Sequence, residues 1–328
     1  MNTLSQTGIE RCSLVPFKQN SETGLAAETS PPAIQQIGRP ALRNNYGATR
    51  TCGVANWDDS PVSRNKVATL GETEIQVWLA PVPHSEAHYS RFAKVLSRDE
   101  IRRTEQFKHR EARCEFVFGR FMLRTILGAY LNLAPAKVEF DYQPRGKPGL
   151  ATVHAENNLH FNQSHAGGLT AIALTRGRDV GIDIESIATV ENWDELTELV
   201  FSPGERQELY SMPKTEQRKE FLKRWTSKEA LLKCIGVGLI DELGAVEIPR
   251  TTGQRRFSLN LPGITEEQNL WDLYDLPLPD GYAGAVVTET STETDTESGK
   301  RERHTSSACP LEPFPRATVA SNGFPAFR

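Results

Sequence analysis

The stretch from Val180 to Leu239 constrains the chain more than any other. Val180-Gly-Ile-Asp183-Ile-Glu185 alternates, so as a strand it puts Ile182 and Ile184 on one face and Asp183 and Glu185 on the other. Two carboxylates on one strand face lie ~7 Å apart, near enough to share one hard divalent cation. Farther on, Phe221, Trp225 and Glu229 recur at i, i+4 spacing with Lys233 one turn later, the pattern of a helix with an aromatic stripe. A carboxylate on such a stripe is costly to bury without a cation. Strand and helix are therefore expected to pack together, with three acids and one lysine at their junction.

Composition narrows the classes. At 328 residues and 38% hydrophobic, the chain can bury one sizeable core or two smaller packed halves. A formal net charge of -4 argues against a general nucleic-acid binder, which would carry a basic excess. The five cysteines (Cys12, Cys52, Cys114, Cys234, Cys309) never form a CxxC pair, which fits reduced thiols in the cytosol and gives no zinc signal. Cys114 and Cys234 fall in helical patterns and read as small core residues. The start lacks a basic segment followed by an apolar one, and no run of ~20 apolar residues follows anywhere, so neither a secretory signal nor a membrane span is expected.

Residues 1–70 show neither helical nor alternating periodicity and read as a disordered lead; 291–328, rich in Thr, Ser, Glu and then Pro, read as a disordered tail. Between them, Glu74–Leu79 is an alternating strand. Ser97-Arg-Asp-Glu100 is a capping box opening a helix through Phe107. A long helix spans about Arg110 to Leu133, with Arg113, Arg120 and Arg124 at the border of its apolar stripe, where a solvated face is one natural reading. Lys137–Tyr142 alternates, Gln143–Gly149 is turn-rich, and Leu159–Phe161 and Leu169–Leu174 are short strands with Asn162–Gly168 between them. Ser202-Pro203-Gly-Glu205 is a second capping box, so Glu205 is first of all a cap. The next helix begins near Thr215, and Gly236-Val-Gly238 after it reads as a helix end, not as a phosphate-cradling loop. Phe257–Leu261 and Tyr282–Val287 supply the last strands. Helices and strands mix without regular βαβ alternation, which makes the class α+β.

Three carboxylates without cysteine or histidine among them favour Mg²⁺ or Mn²⁺ over zinc, and magnesium is usually shared with substrate phosphates. Lys233, Lys147, His165 and the arginines of the long helix are the cations available to meet phosphate. With no Walker loop and no kinase motif set, the residues alone reach Mg²⁺-dependent phosphoryl-type transfer and no further. Singly, each feature has a plainer reading. Asp183 and Glu185 fit an exposed strand face, His165 a loop residue bonded to backbone, and Glu229 with Lys233 an ordinary i, i+4 pair.

Taken in order, however, the motifs resemble a known family. Asn162-Gln-Ser164-His165-Ala-Gly, Val180-Gly-Ile-Asp-Ile-Glu185, Phe201-Ser…Glu205 and Trp225-Thr-Ser-Lys-Glu229-Ala…Lys233…Gly236-Val-Gly look like the 4′-phosphopantetheinyl transferases. Arg145-Gly-Lys147-Pro and Gly119-Arg…Leu123-Arg124 match the long, two-lobed Sfp-type members. The likeness covers about Glu74 to Val287. It implies a pseudo-dimer of two similar α+β subdomains, 71–178 making coenzyme A contacts and 179–290 carrying the metal and catalytic motifs. The implied enzyme is a holo-[acyl-carrier-protein] synthase that moves phosphopantetheine from coenzyme A to a serine of an apo acyl, peptidyl or aryl carrier protein. Adenosine 3′,5′-bisphosphate is the other product.

By motif match, Asp183, Glu185 and Glu229 would hold Mg²⁺, and Lys233 would meet the diphosphate. Ser164, His165 and Lys147 would meet the adenosine end, and Arg113 and Arg103 the 3′-phosphate. Glu229, a metal-bound water or Glu205 would take the serine proton. A cytosolic monomer with no nucleic-acid or membrane partner is expected. Two other functions remain open at this point. One is a non-catalytic binder of coenzyme A or carrier proteins on the same scaffold, and the other a glycosidase using Asp183 and Glu229 as its acid pair.

Overall fold

A computed structural model describes residues 70–142, 146–236, 243–248, 254–258 and 270–290, with two short strands at 34–37 and 54–55. The rest of the expected lead and tail, together with Arg145, Val237 and Gly238, lie outside the described residues. In chain order the elements are β1 (Ile34–Ile37), β2 (Val54–Ala55), β3 (Gln76–Pro81), α1 (Glu86–Phe92), α2 (Arg98–Thr104) and α3 (Arg110–Leu131). Then come β4 (Phe140–Tyr142), β5 (Pro148–Leu150), β6 (Leu159–Ala166), β7 (Leu169–Arg176) and β8 (Val180–Ser186). The chain continues through α4 (Trp193–Val200), α5 (Pro203–Ser211), α6 (Lys214–Ile235), β9 (Gln254–Ser258), β10 (Leu270–Asp275) and β11 (Tyr282–Glu289). The α+β reading holds.

Two antiparallel sheets carry the fold, one in the order β2-β1-β3-β7-β6 and the other β8-β11-β10-β9. The stretch expected to be a structureless lead thus contributes two strands, β1 pairing with β3 and β2 with β1. Alternation sorts the side chains. Trp78, Ile172 and Leu174 turn toward α3, where they pack with Val117, Phe118, Met122 and Leu123. Val77, Leu79, Ala171 and Ala173 turn the other way, into a core shared with Val180, Ile182, Ile184 and Val286 of the second sheet. The outer face of that second sheet, Ala285 and Val287 included, packs on Ala230, Leu231 and Cys234 of α6. Each half is therefore a sheet covered by one long helix, and α3 and α6 both run 22 residues. That is the two-lobed arrangement the resemblance implies.

Both capping boxes form as the sequence predicts, Ser97 with Glu100 and Ser202 with Glu205. Gly236 ends α6 at φ 80°, a left-handed cap that suits glycine, and its N–H reaches Leu232 O. Asn162–Ala166, expected as part of a connecting segment, lies instead within the eight-residue strand β6.

The edges of the two sheets meet at β6 and β8 without a backbone ladder. Ile182 N–H donates to Asn162 Oδ1 at 3.0 Å and Ile184 N–H to Ser164 Oγ at 3.3 Å. Both bonds join residues 20 apart, so the strands run in the same direction. Two side chains thereby satisfy edge amides that would otherwise be buried without partners.

Candidate active site

The outward face of β8 lies under α6, and Gly181 is the reason it can lie so close. A Cβ at that position would fall on the Ala230 carbonyl and the Cys234 amide of α6. With no side chain in the way, the helix settles directly on the strand and carries Glu229 and Lys233 to Asp183 and Glu185. The strand-and-helix junction expected from periodicity is present.

Asp183 is its centre, 4% exposed. Its Oδ1 accepts from Lys233 Nζ at 2.6 Å and from Ser164 Oγ at 2.9 Å. Lys233 Nζ also donates to Ser164 Oγ at 3.3 Å, closing a triangle. Oδ2 of Asp183 and Oε1 of Glu229 are buried with no hydrogen-bond partner. Burial first, and the charge of Asp183 second, push both Glu185 and Glu229 up to about 7, with Lys233 opposing. Trp225 donates a hydrogen bond that partly relieves Glu185.

Three carboxylates thus face one ammonium, an imbalance that favours a further cation. An all-oxygen donor set with unpaired buried oxygens fits a hard divalent ion. Among the described residues, no three acidic, His or Cys side chains are already drawn into a metal-holding group. Asp183 instead keeps Lys233 as its partner.

Ser164 is in this cluster, and the other expected contacts have partners elsewhere. His165, half-buried on β6, faces Glu115 of α3, with Nδ1 4.0 Å from Oε2. Lys147 does not join the carboxylates. Its Nζ donates to Lys233 O at 2.5 Å and Cys234 O at 3.1 Å, at the C-terminal end of α6, where a cation complements the helix dipole. Arg113 Nη2 donates to Phe107 O at 3.2 Å, and exposed Arg103 lies over the Phe116 ring at 5.4 Å. Neither arginine touches Ser164 or His165 by hydrogen bond or ion pair.

Two arginines correct the solvated-face reading. Arg124 is 3% and Arg120 7% exposed, and Arg124 Nε pairs with buried Glu100 at 2.8 Å. Arg124 Nη1 reaches Val138 O at 2.7 Å, while Arg120 stands among the rings of Phe116, Phe140 and Tyr142. They hold α2 and β4 against α3. Glu205, a weaker proton-acceptor candidate, is likewise engaged: its Oε2 accepts from Ser202 N at 3.0 Å and from Lys228 Nζ at 2.6 Å.

Sequence reasoning missed three positions. Asn162 lies two residues before Ser164 on the same strand face, a period-2 signal that was there to use. Trp225, expected on the aromatic stripe, stacks on Phe221 and also hydrogen-bonds Glu185. Lys228 carried no signal beyond its place beside Glu229.

Comparison with known proteins agrees with this geometry. A family model described as 4′-phosphopantetheinyl transferase superfamily matches residues 179–287, the half that holds Asp183, Glu185, Glu229 and Lys233. A second, described as 4′-phosphopantetheinyl transferase, N-terminal, matches 81–176. The chain is 36% identical over 219 residues to the 4′-phosphopantetheinyl transferase HetI of Nostoc sp., spanning 67% of this chain and 89% of that protein. It is 27% identical over 180 residues to the transferase Sfp of Bacillus subtilis, 55% of this chain and 77% of that one. With AcpT of Salmonella typhi it shares 37% over 110 residues, 34% of this chain and 54% of the relative. A relative this similar, matched over most of its length, and two successive family models on two successive halves place the chain in the 4′-phosphopantetheinyl transferase superfamily.

Proposed function

We propose that the protein transfers 4′-phosphopantetheine from coenzyme A to a serine hydroxyl of an apo carrier protein, in a Mg²⁺-dependent reaction that leaves adenosine 3′,5′-bisphosphate. The observation that carries the reading is the group of buried Asp183 with half-buried Glu185, Glu229 and Lys233 inside the matched half. Relatives named 4′-phosphopantetheinyl transferase supply the group transferred. Asp183, Glu185 and Glu229 would hold Mg²⁺, which when bound supplies charge stabilisation to the phosphoryl oxygens.

The chain's own residues account for the remaining chemistry. Lys233, on the same helix face as Glu229, would turn its ammonium from Asp183 to the diphosphate. The serine Oγ forms a bond to the phosphorus that bears the pantetheine arm. The bond from that phosphorus to the bridging oxygen breaks, and the nucleoside bisphosphate leaves with the electron pair. Glu229 is the acceptor we favour for the serine proton, since its Oε1 has no hydrogen-bond partner. Glu205 is poorly placed for that role because Lys228 and the α5 cap already hold it. Asp183 paired to Lys233 at 2.6 Å gives no support to a two-carboxylate glycosidase.

The test is one assay. The protein is incubated with coenzyme A, Mg²⁺ and apo carrier proteins of fatty-acid, polyketide and peptide type, and the carriers are weighed by mass spectrometry. The expected result is the phosphopantetheine mass on at least one carrier. No shift on any of them refutes the proposal. A shift that persists in EDTA refutes the metal role alone.

A further inference from the structure

Lys228 precedes Glu229 by one residue on α6, yet reaches α4, α5 and the turn at Leu243–Ala245 instead of β8. It is 1% exposed. Its ammonium donates to Glu205 Oε2 at 2.6 Å, Val200 O at 2.9 Å and Leu243 O at 3.1 Å, so three donors meet three acceptors. The ring of Phe201 lies 5.2 Å from the same nitrogen. Glu205 is itself immobilised, because its backbone N–H binds Ser202 Oγ while its carboxylate caps Ser202 N.

Stability alone is a poor reason for this arrangement. A buried ion pair recovers in attraction roughly what it loses in desolvation, and an apolar pair of similar volume often does as well. What an apolar pair lacks is direction. Three hydrogen bonds converging on one nitrogen constrain the rotation of α6 about its axis, adding to its apolar packing and to the close approach at Gly181. Side chains reach about 5–6 Å from a helix axis, so a rotation of ~20° would carry a carboxylate ~2 Å sideways. A shift of that size separates Glu229 from Asp183 and Glu185.

We propose that Lys228, held by Glu205, Val200 and Leu243, is a positioning residue that sets the rotation of α6 and keeps Glu229 aimed at the two carboxylates of β8. The inference rests on the reading of those three acids as the metal and reaction centre. It makes Glu205 part of the same device, acting through Lys228 and not on substrate.

The test uses the full chain and the paired variant Glu205→Gln with Lys228→Met, which removes both charges while glutamine keeps the α5 cap. Three quantities are read: the melting temperature, Mn²⁺ affinity by calorimetry without carrier protein, and the kinetics of transfer. The variant is expected to melt close to wild type, to bind Mn²⁺ about 10-fold more weakly, and to lose roughly 10- to 100-fold in kcat with KM for coenzyme A little changed. A variant that melts, binds Mn²⁺ and turns over like wild type overturns the proposal. Should the pair fail to fold, Glu205→Gln alone, which leaves both carbonyl bonds to Lys228, decides in the same way. Weaker Mn²⁺ binding with unchanged circular dichroism supports positioning, and unchanged binding refutes it. A wild-type chain that binds Mn²⁺ but transfers nothing sinks the functional reading while the Mn²⁺ comparison still decides the role of Lys228. A wild-type chain that binds no Mn²⁺ overturns both.

Discussion

Asp183 holds more of the site than any other side chain, since it bonds Lys233 and Ser164 and adds to the burial that raises the pKa values of Glu185 and Glu229. Asp183→Ala should cut transfer at least about 10²-fold, as expected when one charge-organising group is lost from a preorganised centre. The mass-spectrometric assay measures the loss, and a near-normal rate would overturn the metal assignment. The same substitution should lower the pKa of Glu229, because it removes a neighbouring negative charge.

A pH dependence follows for the protein stripped of divalent ions. Both glutamates titrate near 7 when folded, against an ordinary value of 4.5. Between those values the folded state binds more protons than the unfolded, so this stabilisation is complete below about 4.5 and is lost as pH rises through about 7. Melting temperature in EDTA should therefore contain a component that falls over that window. In saturating Mg²⁺ the component should flatten or reverse, because the ion favours ionised ligands. Asp183, Glu185, Glu229 and Lys233 were legible because periods of two and of four place them on faces. Glu100 with Arg124 and Glu205 with Lys228 were not, since partners 24 and 23 residues apart leave no local pattern.

At the level of elements, the contact between β8 and α6 decides whether there is a site. Gly181→Ala would push the helix away from the strand, because the new methyl would meet backbone atoms of Ala230 and Cys234 that cannot swing aside. Overpacking of this kind costs about 1–3 kcal/mol. A urea melt should show that loss, accompanied by a fall in transfer rate larger than that of an equally destabilised variant elsewhere. A normal rate at normal stability would mean that α6 tolerates displacement. The strong elements were readable: both capping boxes, the two long helices and the alternating strands β3, β7, β8 and β11. The helices α1 and α4 were not foreseen, being short and capped by no box, and neither was β10. The extent of β6 was missed for another reason: Asn162, Ser164 and His165 are polar, and only the neighbouring edge of β8 makes that polarity useful.

Across the whole molecule, Lys147 joins the halves. It stands on a loop of the first and grips carbonyls ending a helix of the second, 86 and 87 residues away. Charge-assisted bonds of this type contribute about 1–3 kcal/mol, so Lys147→Met should lower the free energy of unfolding within that range. It should also raise KM for coenzyme A more than it lowers kcat, if the lysine meets the substrate as the family resemblance implies. Chemical denaturation and steady-state kinetics separate the two effects, and a change in neither would leave the lysine without a role.

The halves are otherwise linked covalently by a short turn, Gly177 to Asp179, between β7 and β8. The boundary is otherwise apolar packing and side-chain hydrogen bonds, among them Asn162 and Ser164 to β8 amides, Ser164 with Asp183 and Lys233, and Tyr282 to the Gly167 carbonyl. A protease site placed in that turn would convert an intramolecular interface into one between two polypeptides. The cut protein should keep its shape at high concentration, yet its melting temperature should now rise with the amount of protein in the tube, as it does for a heterodimer.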